Sequence, residues 1–510
     1  VPLPENGQAW PPALLQPISK TLSEWSAWYE GTPEALGSVY STQQRDATAP
    51  DRAGGLRGFM HRMWWGRQPS GSAERADQSH IPIAADLARV SADLLYADAP
   101  ELSTEHKENQ TRLDLYLPDI HAGLAAGAEL GAVLGGRYHR VTWDRQLLNH
   151  SFLSTVDADA AFPEFRWGRL VAATFWYVLS DDKASQTVWR HLERHELDDN
   201  GDGLILHGLY EGTRANLGMA RPLTEHPTTE PLAEAIDAQG ALVEGRTPGL
   251  AIAYIPNQTP QRRWRQHPIG RHLGRSDFDG VEPLMDNLDE AFSSWMRDLR
   301  IGKGRIIVPA YMLRDNGPGM GAAFDMDRSV YDTLNIPDAE GKVPPIIPQQ
   351  FAIRYEEHQA TCQEIVRQIV QTAGYSAQTF GESSDASGAM TATEVKARER
   401  RTFRTRDRKV RNETPAITAL LTKMLAIDTA VFGAKGLDPS EPITVTFADN
   451  IEDSPLTLAQ TSLALFQAKA ASTNTLVAMM HPEWTDEQVT TETDLIFTEQ
   501  QTVTDPFSLG

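Results

Sequence analysis

The chain has 510 residues, 40% of them hydrophobic, which is enough to bury several cores and excludes a disordered polypeptide. Its mean hydropathy of −0.40, the lack of any apolar run near the roughly 20 residues a bilayer demands, and an N-terminal stretch without a basic-then-apolar leader predict a soluble, unexported protein. Sixty-nine acidic against 47 basic residues leave a net charge of −22, which argues against a surface that wraps nucleic acid, and the solitary Cys362 excludes an internal disulfide.

In chain order, Ile18, Leu22, Trp25, Trp28 and Tyr29 recur at helical spacing and stop at Gly31-Thr32-Pro33, predicting an amphipathic, aromatic-faced helix. Gly- and Arg-rich sequence around Met63-Trp64-Trp65 reads as an exposed connection over residues 55–80, and residues 81–95 resume a helical pattern. An Ala- and Leu-rich helix is expected over 118–134, followed by β-branched and aromatic residues over 137–143. Residues 175–179, 188–192, 204–209 and 250–255 read as short strands joined by polar turns, so a mixed α+β domain is expected through about residue 275.

The second half changes character. Val281, Leu284, Met285, Leu288, Phe292, Trp295, Met296 and Leu299 fall mostly three or four apart, behind Asp277 and Asp279 as caps and ahead of Gly302. A Pro-, Gly- and strand-rich insert follows, and then His358, Cys362, Ile365, Val366, Ile369 and Val370 mark a second helix ending near Gly374. Residues 376–390 are small and polar, a composition that favours a mobile loop. Thr391 or Thr393 then caps a helix expected to run past Arg411 toward Phe432, interrupted or kinked at Pro415. A strand over 443–447 precedes the last helices, and beyond Lys469 the chain has carboxylates but no Lys or Arg.

Candidate chemistry is sparse. Asp198-Asp199-Asn200-Gly201-Asp202-Gly203 resembles the first half of an EF-hand loop, but Leu209 stands where a bidentate Glu should close it, so a tight hairpin turn is expected instead. His191 and His195 flank Glu193, yet a zinc-protease helix needs Glu directly after the first His, and the alternation suits a strand face. No Walker loop, dinucleotide fingerprint or nucleophile elbow occurs, so no catalytic residue, metal or cofactor is assigned. The one basic cluster, 396–411, includes Arg398, Arg400, Arg401, Arg404 and Arg408; ion pairing within or between subunits, or contact with DNA, suits such a run on a helix.

Several phrases carry a resemblance: Trp28-Tyr29-Glu30-Gly31, Ile81-Pro82-Ile83-Ala84-Ala85-Asp86-Leu87-Ala88 with Leu94-Leu95-Tyr96, Arg190-His191-Leu192-Glu193, Gly208-Leu209-Tyr210-Glu211-Gly212, the helix over 289–296, and Thr391-Ala392-Thr393-Glu394-Val395. Together with the order of parts in the second half, they resemble the portal (head-to-tail connector) proteins of tailed bacteriophages, in particular a siphophage family. The resemblance implies an α+β portal fold: an α/β wing (1–278), a first stem helix (279–300), a β-containing clip (301–352), a second stem helix (353–374), a tunnel loop (375–390), the long bent helix and strand of the wing (391–453) and a helical crown (454–510).

It also implies a homo-oligomeric ring of about twelve subunits in the virion at the capsid portal vertex, assembled in the host cytoplasm. Double-stranded DNA would pass through during packaging and ejection. Partners would be the terminase large subunit, the head-tail adaptor, the major capsid protein and the scaffold, with no membrane and no enzymatic activity. On this reading Gly381, Glu382, Ser383, Ser384, Asp385, Ser387 and Gly388 belong to the tunnel loop at the DNA channel. Helical spacing suggests that Asp286, Asp289, Glu290 and Asp298 form an acidic stem face toward the lumen or neighbours; in the light of the implied ring, Arg398, Arg400, Arg401, Arg404 and Arg408 would bond adjacent subunits. The alternative is another head-associated protein, such as a minor capsid protein, or an unrecognised hydrolase.

Overall fold

The computed structural model describes residues 3–47, 79–301, 353–381, 392–448, 455–481 and 484–503, together with short strands at 305–307, 314–315, 322–323 and 347–349. Most of the expected insert, and the connection around Met63-Trp64-Trp65, lie outside these residues.

Helix α1 (Gln16–Glu30) buries Ile18, Leu22, Trp25 and Trp28 and ends where Gly31 takes a left-handed φ of 66°, as the aromatic spacing predicts. Helices α2 (Pro33–Ala47) and α3 (Ile83–Tyr96) follow, then strand β1 (Glu101–Ser103) and α4 (Lys107–Leu134). Helix α4 starts well before the expected residue 118. His106 caps it by accepting from the Asn109 N–H, and the buried stripe Leu113, Tyr116, Ile120 and Leu124 runs straight through Pro118. Pro118 itself is exposed, so burial of that stripe outweighs the backbone hydrogen bond the proline removes.

Strands β2 (Gly136–Thr142), β3 (Phe152–Asp157), β4 (Ala161–Arg166), β5 (Arg169–Asp182), β6 (Thr187–Leu197), β7 (Gly203–Thr213), β8 (Asn216–Arg221) and β9 (Ile252–Pro256) build two antiparallel sheets. One has the order β3-β2-β9 and the other is a five-stranded meander, β4-β5-β6-β7-β8. The meander strands are longer than hydrophobicity alone suggests, because polar residues such as Arg190 and Glu193 are buried within β6 rather than ending it. At the β6–β7 turn the Asp198 carboxylate accepts from the N–H groups of Asn200 and Asp202, so the calcium-like hexapeptide closes on itself as a hairpin turn.

Helix α5 (Glu282–Ile301) leads to β10 (Arg305–Ile307), β11 (Arg314–Asp315), β12 (Ala322–Ala323) and β13 (Ile347–Gln349), where β10 pairs with β13 and β11 with β12. Helix α6 (Tyr355–Ala373) returns, stopping at left-handed Gly374. Then come α7 (Ala392–Val431), β14 (Thr444–Thr446), α8 (Pro455–Gln467), α9 (Thr473–Met480) and α10 (Asp486–Val503). Helix α7 runs unbroken through Pro415, so of the expected interruption or kink the interruption does not occur. Strand β14 pairs with β1, joining segments more than 300 residues apart (Leu102 opposite Val445).

One core gathers α1, α2, the start of α3 and the end of α4 around the beginning of α5 (Val281, Met285, Leu288) and the end of α6 (Ile369, Val370, Ala373). A second core packs α4 and the end of α3 against Ile417, Leu420, Leu421, Met424 and Leu425 of α7. The stretch 399–431 is long and apolar enough by composition to cross a bilayer, but these side chains are spent on the protein's own interior, which makes it a core helix.

Candidate functional site

Helices α5 and α6 form an antiparallel hairpin whose base is set in the first core and whose far end carries the β10–β13 ladder. The base is built from acids that the sequence presents just before and within the first turns of α5. Asp277 is almost fully buried and accepts from Asn257 Nδ2 at 2.8 Å, Gln258 Nε2 at 2.6 Å, Tyr375 Oη at 2.6 Å and Lys409 Nζ at 2.7 Å. Lys409 also donates to Ser91, and Tyr375 is within 2.9 Å of its ammonium. Burial pulls the Lys409 ammonium below its ordinary pKa, and the Asp277 charge opposes that pull. Burial, reinforced by Asp277, pushes the Tyr375 hydroxyl well up.

Asp279 accepts from Arg262 and Arg263 at 2.7 and 3.0 Å, and Glu282 takes the Trp25 indole N–H at 2.9 Å, the Gly280 N–H at 2.6 Å and Arg263. Carboxylates here also complement the partial positive charge of the α5 N-terminus. One node therefore joins α1, the 257–282 segment, the end of α6 and the middle of α7.

The four acids expected on one stem face divide. Asp289 is 1% exposed and accepts from Tyr40 Oη at 2.8 Å and the Ile81 N–H at 2.9 Å, with His80 Nδ1 at 2.8 Å. This corrects its placement on a lumen or neighbour face: both oxygens are committed inside the protomer, because α2 and the segment before α3 cover that side of α5. Asp298 links the two helices, accepting from Arg354 at 2.9 Å with His358 Nε2 at 2.9 Å, and Trp295 stacks on that imidazole. His358 and then Arg354 hold the Asp298 carboxyl below its ordinary range. Asp286 is half-buried and has a partner, whereas Glu290 is exposed.

Of the expected loop residues, Gly381 closes a turn after Ala377–Phe380 with φ 80°, while Glu382, Ser383, Ser384, Asp385, Ser387 and Gly388 lie outside the described residues. The near side of that segment is fixed to α7: the Ser376 N–H donates to Thr402 Oγ1 at 2.9 Å, and Thr405 donates to the Gly374 carbonyl at 2.7 Å.

The basic run of α7 also divides. Arg406 caps carbonyls of Leu94 and Ala448, and Lys409 enters the buried node. Arg400, Arg401, Arg404 and Arg408 are exposed; the Arg398 side chain lies outside the described residues. The four exposed arginines meet Arg275 and the end of α6 in an open cleft of about 550 Å³.

Sequence reading missed three buried charges further along α7. Glu413 receives the Arg137 guanidinium at 2.9 and 2.8 Å, Lys423 donates to the carbonyls of Thr247 and Gly249 at 2.6 and 2.7 Å, and Asp428 takes Arg112, Tyr116 and the Ser151 N–H. The signal was present: Glu413 and Asp428 fall in the same three-four spacing as Ile417, Leu420, Leu421 and Met424, on the face that packs.

Elsewhere, the meander buries His191 Nε2 3.0 Å from His207 Nδ1, and Glu193 lies 2.7 Å from His195 Nε2 and pairs with Arg140. Burial takes His191 down and His207 to about 4, so these imidazoles are neutral core groups. Among the described residues, no group of three or more His, Cys, Asp or Glu side chains is arranged to hold a metal ion.

The family model described as phage portal protein, SPP1 Gp6-like, matches residues 73–505. No curated protein matches. Among solved structures the chain is similar to a chain from the neck of an empty GTA particle computed with C6 symmetry, at 13% identity and a TM-score of 0.38, over 78% of this chain and 90% of that one.

Proposed function

Because the chain belongs to the SPP1 Gp6-like phage portal protein family, we propose that it closes into a ring of about twelve copies at one capsid vertex and guides double-stranded DNA during packaging and ejection. The family is a structural one, and the proposed role is passive: the terminase large subunit supplies the work, docking with the head-tail adaptor at the clip, while the major capsid protein and scaffold surround the wing. The protein then resides in the virion after assembly in the host cytoplasm.

The observation that carries this reading is the α5–α6 hairpin. The twenty residues of α5 span about 30 Å from a base set in the core, the β10–β13 ladder sits at its far end, and the segment expected to meet DNA follows at its base. A projecting pair of this kind suits the stem, with Glu290 its solvent-facing acid toward the channel or a neighbouring stem, Gly381 part of the tunnel loop and α7 the wing helix.

Size-exclusion chromatography and negative-stain imaging of the full chain test the proposal. Rings of about a dozen subunits around a central hole are expected; a monomer or dimer would overturn it.

A further inference from the structure

Many arginines of this acid-rich chain pair with a carboxylate. Arg112, Arg137, Arg194, Arg262 and Arg354 each reach one within 3 Å. Arg400, Arg401, Arg404 and Arg408 reach none among the described residues, and Arg275 in the same cleft donates only to the neutral Gln258 amide oxygen. The guanidinium groups cannot discharge to relieve their repulsion. Burial lowers the Arg275 pKa, Arg262 and more weakly Arg408 push in the same direction, and Asp279 and Asp277 oppose them.

The helix that carries these exposed arginines is itself anchored: Thr402, Thr405 and Lys409 of α7 are hydrogen-bonded to neighbouring segments, and Gly374 at the cleft wall lies so near α7 that a Cβ there would stand 3.0 Å from Thr405 Oγ1. Arg400, Arg404 and Arg408 succeed one another at four-residue steps and therefore share one face.

We infer that this five-arginine cleft receives a carboxylate-bearing segment of a second copy of the chain. The inference rests on the ring proposed above. Planar guanidinium forks suit bidentate carboxylates, and the excess of acids, 69 against 47 bases, gives each copy carboxylates to offer its neighbour. A cleft of about 550 Å³ takes a few side chains, whereas a DNA duplex, with a major groove alone about 12 Å wide, does not enter it.

Arginine footprinting with phenylglyoxal, read by mass spectrometry on full-length rings and on salt-dissociated protomers, tests the inference. Arg404 and Arg408 are expected to react at least about tenfold more slowly in rings, while exposed Arg89 changes little. The double variant R404E/R408E is expected to lose rings with unchanged circular dichroism, and R404K/R408K to retain them partly. Equal reactivity of both arginines in rings, or rings that survive charge reversal, would overturn the inference alone. Protection that arises only on adding duplex DNA would overturn it in favour of phosphate. If the charge-reversed protein misfolds, the wild-type footprint decides. A wild-type chain that forms no ring removes the portal proposal, and this inference with it.

Discussion

The two ends of the α5–α6 hairpin hold charge in opposite ways. At the base, Asp277, Asp279, Glu282 and Asp289 are buried and every one is met by donors from distant segments. At the far end, Asp298 bridges to Arg354 and His358 across the hairpin, with Arg354 65% exposed and the Asp298 carboxylate partly so. Buried charges are costly to strip of partners and therefore fix geometry, whereas solvated pairs hold loosely and yield to salt. The hairpin is thus held more tightly at its base than at its far end.

Breaking the base should have the largest effect. Asp277→Ala leaves the Lys409 ammonium buried without its counter-charge, and a loss of about 3–5 kcal/mol is expected in urea unfolding; a change under 1 kcal/mol would show that the node is not what fixes the hairpin. Acid separates the hairpin base from the meander. His191 and His207 are neutral in the fold with depressed pKa values, His207 near 4, so the unfolded chain binds more protons and stability falls as pH drops from about 6.5 toward 4. Glu193 and Arg140 face these rings, and the depressed Glu193 carboxyl adds a loss only at lower pH, below the usual glutamate range. The His191→Gln/His207→Gln variant should flatten the slope of the unfolding midpoint between pH 6.5 and 4, whereas Asp277→Ala should leave that slope intact.

Smaller effects sharpen the contrast along α5 itself. Asp289→Ala strands the donors of Tyr40 and Ile81 and should cost about 1–3 kcal/mol, while its exposed neighbour Glu290→Lys should leave the unfolding curve unchanged and act only on DNA packaging or ejection, read as phage yield. Least of all, Asp298→Ala should leave global unfolding unmoved yet shift Trp295 fluorescence, since the imidazole stacked on that indole loses its carboxylate partner; a global destabilisation would erase the distinction between the two ends.

Helices α5, α6 and α7 were readable in the sequence because apolar residues three and four apart are a local signal, and because Gly374 marks a stop that only a left-handed residue makes easily. The insert between two helices was likewise visible in composition. What each acid does was not. Periodicity places Asp289 on a side of α5 but says nothing about Tyr40, roughly 250 residues away, arriving to meet it. The same blindness merged the arginines of α7 into one group: Arg406 and Arg408 look alike in sequence, yet one caps carbonyls in the interior and the other faces the cleft. Helix α4, expected from residue 118, begins at Lys107 because the buried stripe from Leu113 to Leu124 continues across Pro118.

A hairpin that, among the described residues, is fastened to the core at its base acts as a cantilever. Sideways load at the tip, where β10 and β13 meet, becomes torque at the root, and the root here is wired through Lys409 and Tyr375 into the same helix that begins just beyond the segment after Gly381. Load at the tip is therefore met, through one ammonium and one phenol, at the middle of α7.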